Sequence, residues 1–101
     1  MNVYDLAPAN SQKSFYGKAK VIECEKCTIL ISYVTPVILK DKSGNLFRLW
    51  DGWSATTGKH IASFCGIRKH EYFNLPTTKV NSNYLTRDEQ LSLLCIHFKE
   101  V

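Results

Sequence analysis

The sequence predicts an α+β fold: a small antiparallel sheet of three to four strands over about residues 15–50, packed by a helix over about 55–65 and followed by short C-terminal helices. Three observations predict it. β-branched and aromatic runs recur between Ala19 and Trp50, which is strand composition. The connections between them are short, which makes antiparallel pairing the natural arrangement. One stretch beyond them, "SATTGKHIASFCG", carries a helix start, an apolar face and a helix stop.

The elements follow in order. "MNVYDLAPANSQK", residues 1–13, has an early Asp5 and no apolar core, and is expected to be a flexible N-terminal arm rather than a signal peptide. Residues 14–101 are expected to form a single domain. "SFYGKAKVIE" places Lys18 and Lys20 on one side of an extended chain and Ala19 and Val21 on the other, a half-buried strand. "TILISYV" (Thr28 to Val34) is the next strand, and the intervening "CEKC" suits a hairpin loop. Pro36 interrupts that run, so "PVILK" is either its continuation past a bend or a separate edge strand. "DKSGN" (Asp41 to Asn45) is a turn signal, and "LFRLW" (Leu46 to Trp50) is the last strand.

Ser54, Thr56 and Thr57 are candidate N-caps, because a hydroxyl accepts from the free N–H groups of a first turn. Ile61, Phe64 and Cys65 share a helix face, and Gly66 stands where a left-handed C-cap belongs, with Ile67 as its apolar contact. Gly58 inside the helix costs about 1 kcal/mol against alanine, so a packing or contact reason is expected there. Lys69 to Leu75 makes a short helix stopped by Pro76. Thr86 and Glu89 have capping-box spacing ahead of "QLSLLCIHF", which favours a helix over about 86–98 although the run is also strand-compatible. Val21, Ile31, Leu49, Ile61 and Phe64 are the expected core.

A composition of 45% hydrophobic and 12% aromatic residues excludes a disordered chain. No apolar run approaches the ~18 residues of a membrane span. Four cysteines without a secretion signal point to reduced thiols in the cytosol. Cys24 and Cys27 have metal-knuckle spacing, but a structural zinc site needs a second pair, so no metal is expected. Cys65 and Cys95, in apolar contexts, are expected to be small core residues. The formal charge is +4 and unevenly placed: residues 55–80 hold Lys59, Arg68, Lys69 and Lys79 against Glu71 alone. Such a segment meets phosphates or an acidic protein surface, or is a solvated helix end.

The stretch from Gly52 to Lys59 approaches a phosphate-binding loop and departs from it. Five residues rather than four separate Gly52 from Gly58, and His60 stands where the magnesium-binding hydroxyl belongs. Neither nucleotide binding nor any other cofactor is expected. Cys65 and His60 lie on one helix, a poor arrangement for a nucleophile and its base, so the chain is not expected to be an enzyme. His60 is expected to satisfy a local hydrogen bond in the helix.

Three pieces of the chain carry a resemblance. They are Tyr16 to Ala19 (Tyr-Gly-Lys-Ala), then Ser32, Tyr33, Thr35 and Val37, then Trp53, Ser54, Thr56, Thr57, His60, Ile61 and Phe64. Together they resemble a small uncharacterised domain of phage and mobile-element proteins, over roughly residues 14–75. The resemblance implies a compact α+β domain and carries no activity. The phage setting implies action by binding in the host bacterial cytosol, as an inhibitor of a host defence complex such as a CRISPR nuclease. The expected partner is a host protein or ribonucleoprotein, with weak nucleic-acid contact as the alternative and no membrane. The candidate contact residues are Lys59, Arg68 and Lys69 as cations and Trp53, Tyr72 and Phe73 as aromatic anchors.

Overall fold

A computed structural model describes residues 2–7, 15, 17–79 and 84–91 of the chain. Five strands form one antiparallel meander: β1 (Asn2–Asp5), β2 (Ala19–Glu23), β3 (Cys27–Ser32), β4 (Thr35–Asp41) and β5 (Leu46–Arg48), in the order β1-β2-β3-β4-β5. Two helices follow, α1 (Ala55–Cys65) and α2 (Lys69–Phe73). The α+β class holds, with five strands in place of three to four.

The extra strand comes from the expected arm. Asn2 to Asp5 pair with Glu23 to Lys20, the Leu6 N–H donates to the Ala19 carbonyl at 2.9 Å, and Lys20 Nζ meets Asp5 Oδ1 at 3.0 Å. Two β-forming residues, Val3 and Tyr4, are too few to show a period in sequence. The pairing partner supplies the order.

Register explains the apolar runs. Val21, Leu30 and Ile38 are successive partners on one face, while Ile22, Ile29, Leu39 and Phe47 are partners on the other. The first face packs against Ile61 of α1 and Tyr72 of α2, and the second against Tyr84 and Leu85. A sheet covered on both faces needs continuous apolar strands such as "ILI" and "VIL", where a half-buried strand alternates.

The turns follow their chemistry with one exception. "CEKC" closes the β2–β3 hairpin, with the Cys24 N–H donating to the Cys27 carbonyl at 2.8 Å. In "DKSGN" the Asp41 Oδ1 accepts from the N–H groups of Ser43 and Asn45, both at 2.9 Å, an Asx turn. The exception is "SYVT". Tyr33 and Val34 leave the expected strand and make a two-residue hairpin between partners Ser32 and Thr35. Pro36 therefore opens a separate strand, and β4 is interior rather than an edge. The proline is tolerated because β5 pairs only with Ile38 to Lys40, and the register shifts at Leu30/Ile31 opposite it. β5 ends at Arg48, where the segment at Thr77 adds a parallel bridge to the same edge.

Ser54 caps α1, its Oγ accepting from the Thr57 N–H at 3.1 Å. Gly66 ends it at φ 75°, its N–H bonded to the Ala62 carbonyl at 2.9 Å. Val21, Ile31 and Ile61 are buried as expected, but Leu49, Phe64 and Cys65 are only half-buried. Phe64 reaches the sheet's margin, where Lys40 Nζ lies 5.6 Å from its ring centroid. Thr86 and Glu89 form the expected capping box: the Glu89 N–H donates to Thr86 Oγ1 at 3.2 Å and the Thr86 N–H to Glu89 Oε1 at 2.9 Å. Residues 87–91 are helical; the remainder of the expected helix to 98, with Cys95 and His97, lies outside the described residues.

Candidate interaction surface and the buried Ser32–His60 joint

The two glycines of the near-phosphate loop have a packing role. An added Cβ on Gly58 would stand 2.6 Å from Trp53 Cζ2, and one on Gly52 would strike the Trp50 indole. Each glycine is the floor beneath an indole ring, so their spacing follows tryptophan packing.

Trp53, held over α1 in this way, lies 5.5 Å from the Tyr72 ring and 6.1 Å from the Phe73 ring. Tyr72 is not an exposed anchor. It is fully buried, and its hydroxyl lies 3.0 Å from the Val37 carbonyl and 2.8 Å from the Trp50 carbonyl. Burial pushes its phenol up to about 12, against the lowering effect of the Trp50 bond. The buried tyrosine fastens α2 to β4. Its helical neighbour Phe73 is 36% exposed, and the Arg48 guanidinium lies 5.3 Å from that ring's centroid. Arg48 is fixed by the Trp50 carbonyl at 3.4 Å and by the carboxylate of Asp51. Lys69 and Phe73 are four apart on α2, the spacing of side chains on one helix face.

The expected cations do not all join this surface. Lys59, Arg68 and Lys69 are exposed. Lys59, however, stands mid-helix in α1, six residues or roughly 9 Å of rise before its end, on a different element from Lys69. Arg68 uses its N–H to meet Glu71 Oε1 at 3.1 Å at the start of α2, leaving its guanidinium beside Lys69 in sequence. Arg48 was not among the expected contact residues. As a single arginine inside "LFRLW" it reads as the outward residue of a strand, and only the fold places it against Phe73.

His60 makes a long-range bond where a local one was expected. Its Nδ1 lies 2.8 Å from Ser32 Oγ on β3, and Ser32 Oγ lies 2.9 Å from Thr57 Oγ1. Ser54 Oγ donates to Thr57 Oγ1 at 3.0 Å, extending the chain of hydroxyls to the helix cap. The imidazole sits edge-on to Phe15 at 4.6 Å and tilted to Tyr33 at 5.8 Å. Burial, and then the charge of Lys18, hold its pKa below the ordinary 6.5. All three motif pieces thus converge: Lys18 from the first, Ser32 and Tyr33 from the second, Thr57 and His60 from the third.

The Ser32–His60 separation is that of a nucleophile and its base. Both residues are closed to substrate, Ser32 at 3% exposure and His60 at 1%. A carbonyl carbon cannot approach Ser32 Oγ, so the pair works as a polar joint between sheet and helix. Cys65 Sγ donates to the Ile61 carbonyl at 3.5 Å, within its own helix.

Cys24 and Cys27 are buried thiols at the opposite end of the sheet. Burial, together with each other's and Glu89's charge, pushes Cys24 up to about 12; burial likewise raises Cys27 to about 11. Cys27 Sγ donates to the Tyr84 carbonyl at 3.5 Å. Among the described residues no three His, Cys, Asp or Glu side chains gather as a metal site. Beside the thiols lies a cleft of about 560 Å³ flanked by Glu23, Glu25, Asp88 and Glu89. Burial works to raise the Glu89 pKa, yet the Thr86 and Glu25 N–H groups it accepts, the latter at 2.9 Å, leave it below its ordinary value. That carboxylate ties the helical turn 87–91 to the β2–β3 hairpin.

These features define a small α+β domain whose polar chemistry is largely folded inward. Residues 4–79 match the family described as "Family of unknown function (DUF8033)", and the chain belongs to that family. No curated protein and no solved structure matches the chain. Among the described residues no helix is long and apolar enough to cross a membrane.

Proposed function

We propose that this chain acts by binding a macromolecular partner and not by catalysis, as a phage or mobile-element accessory protein that inhibits a host defence complex such as a CRISPR nuclease in the host cytosol. One observation carries the binding surface: Phe73, exposed, is flanked by the Arg48 guanidinium and by Trp53, with Lys69 one turn away. An aromatic anchor braced by a fixed cation is the composition of an interface hot spot. Lys69 favours a partner with an acidic surface, while Arg48 is paired with Asp51 and serves to brace the ring; exposed charge of this kind mainly raises the encounter rate. The inhibitory role rests on the phage resemblance of the three motifs.

The test is capture of a host protein or ribonucleoprotein from bacterial lysate by tagged chain, compared with Phe73→Ala and Lys69→Glu variants. Lys69 is exposed, so Lys69→Glu should move the melting temperature little, whereas Phe73→Ala also loses ring contacts with Trp53 and Tyr72 and should lower it. Capture should fall about tenfold or more in Phe73→Ala. Equal capture by both variants would remove this surface from consideration. Turnover of a phosphoester or peptide panel by the wild-type chain would contradict the non-catalytic reading.

A second reading, direct nucleic-acid binding by residues 55–80, is weakened by the position of Lys59, away from Arg68 and Lys69 along α1.

A further inference from the structure

The β3–β4 hairpin tip holds a side chain that the fold does not favour. Tyr33 has φ 58°, the one non-glycine residue at positive φ among those described. A left-handed backbone is strained for an L-residue, least for Asn and most for bulky ones, and glycine adopts it freely. The position is fixed, because the Tyr33 N–H donates to the Lys18 carbonyl at 2.6 Å while Ser32 and Thr35 close the turn. The ring is tilted against His60, with centroids 5.8 Å apart, and 41% of the residue faces solvent. Lys18 Nζ stands 6.0 Å from the ring centroid. Among the described residues the ion pairs are Lys20–Asp5 and Arg48–Asp51, and Lys18 is in neither.

We propose that Tyr33 and Lys18 form a contact site for single-stranded nucleic acid, with the Tyr33 ring stacked on one base and Lys18 on an adjoining phosphate. A solvent-exposed aromatic ring beside an ammonium that joins no ion pair among the described residues is the repeating unit of sequence-tolerant single-strand binding; a stacked base would replace the ammonium over the ring and free it for a phosphate. A duplex hides its base faces, so a lone ring on a turn has nothing to stack on there. The chain's net charge of +4 favours a polyanion. The site uses none of the residues of the Phe73 surface, so it stands or falls independently of the reading above.

The experiment is fluorescence anisotropy with short labelled oligothymidylate, oligouridylate and a mixed-sequence duplex, in a salt series from about 50 to 200 mM. Both single strands should bind more tightly than the duplex, and the two arms show whether DNA or RNA is preferred. Tyr33→Ala should weaken binding roughly 5- to 150-fold, the worth of one base–aromatic stack, while Tyr33→Phe retains it. Lys18→Ala should reduce the log–log salt slope by about 0.7. Tyr33→Gly separates contact from structure: it relieves the turn, so the melting temperature should hold or rise while binding is lost as in Tyr33→Ala. Tyr33→Asn, which tolerates a left-handed backbone, gives the same comparison should the glycine variant loosen the turn. Failure of the wild-type chain to bind either single strand at the lowest salt overturns the proposal. So does duplex binding as tight as single-strand binding, competition by polyglutamate as effective as by oligonucleotide, or undiminished binding by both Tyr33→Gly and Tyr33→Asn.

Discussion

Gly58→Ala sets helix propensity against packing, and the structure decides the sign. In an exposed helix interior the change would stabilise by about 1 kcal/mol, because alanine loses less backbone freedom. At Gly58 the new methyl would stand 2.6 Å from Trp53 Cζ2, 3.2 Å from Cε2 and 3.3 Å from Cη2. A flexible side chain could swing aside. The indole cannot do so freely, because Tyr72 lies 5.5 Å and Phe73 6.1 Å from it. Overpacking of this kind costs typically ~1–3 kcal/mol. The net expectation is destabilisation by about 1 kcal/mol, a fall in melting temperature of roughly 4–8 °C for a domain of this size. Thermal unfolding followed by circular dichroism measures it. Trp53→Ala supplies the control: in that background the clash is gone, and Gly58→Ala should stabilise by about 1 kcal/mol. The coupling in the double-mutant cycle is then roughly 2 kcal/mol. A Gly58→Ala variant that melts higher than the wild type, or a cycle that closes to within ~0.5 kcal/mol, refutes the argument that the glycine exists to seat the indole.

Tyr72→Phe should cost only about 1 kcal/mol in chemical denaturation despite losing two contacts, because the Val37 carbonyl keeps the Leu49 N–H at 3.0 Å and the Trp50 carbonyl keeps Arg48 Nη1; a loss above ~3 kcal/mol would show that the hydroxyl alone fastens α2. His60 sets a pH dependence. Its folded pKa is lowered, so below pH 6.5 the unfolded chain takes a proton that the folded one resists, and stability falls with pH from 6.5 downward. His60→Asn, which keeps a polar atom near the Nδ1 position, should flatten that decline below pH 6.5. Denaturation midpoints that fall equally in both proteins across that window would place the titration elsewhere.

Sequence reasoning reached the elements with strong local signals. Ser54 and Gly66 bracket α1 because cap chemistry is local, and "DKSGN" turns because Asp41 bonds its own neighbours. It failed where a partner distant in sequence decides. β1 exists because β2 offers an edge to it. The β3–β4 turn was hidden because Tyr33 and Val34 are strand formers, and a two-residue hairpin normally announces itself with glycine or asparagine. Tyr72 looked like a surface anchor because a five-residue helix shows too little period to tell its faces apart. The Ser32–His60 bond spans 28 positions and joins two separate motif pieces, which no local rule connects.

That bond also separates residues the fold needs from residues it merely carries. Ser32, Thr57 and His60 satisfy one another in a buried chain: removing Ser32 leaves His60 Nδ1 without that partner, and removing Thr57 or His60 leaves Ser32 Oγ with one of its two. Their presence is explained by stability alone. Phe73 and Tyr33 are different. Phe73 keeps 36% of its surface in water although the ring beside it in sequence, Tyr72, keeps none. Tyr33 holds a backbone angle that glycine would hold without strain, and it leaves 41% of its surface exposed while doing so. Stability explains Phe73 in part, through its contacts with Trp53 and Tyr72, and gives a weaker reason for a strained tyrosine at position 33. Phe73 and Tyr33, each a solvent-exposed ring with a cation within 6.0 Å of its centroid, are therefore the positions at which the proposed contacts are tested. Substitutions there should disturb the proposed contacts more than the fold, while substitutions in the Ser32–Thr57–His60 joint should do the reverse.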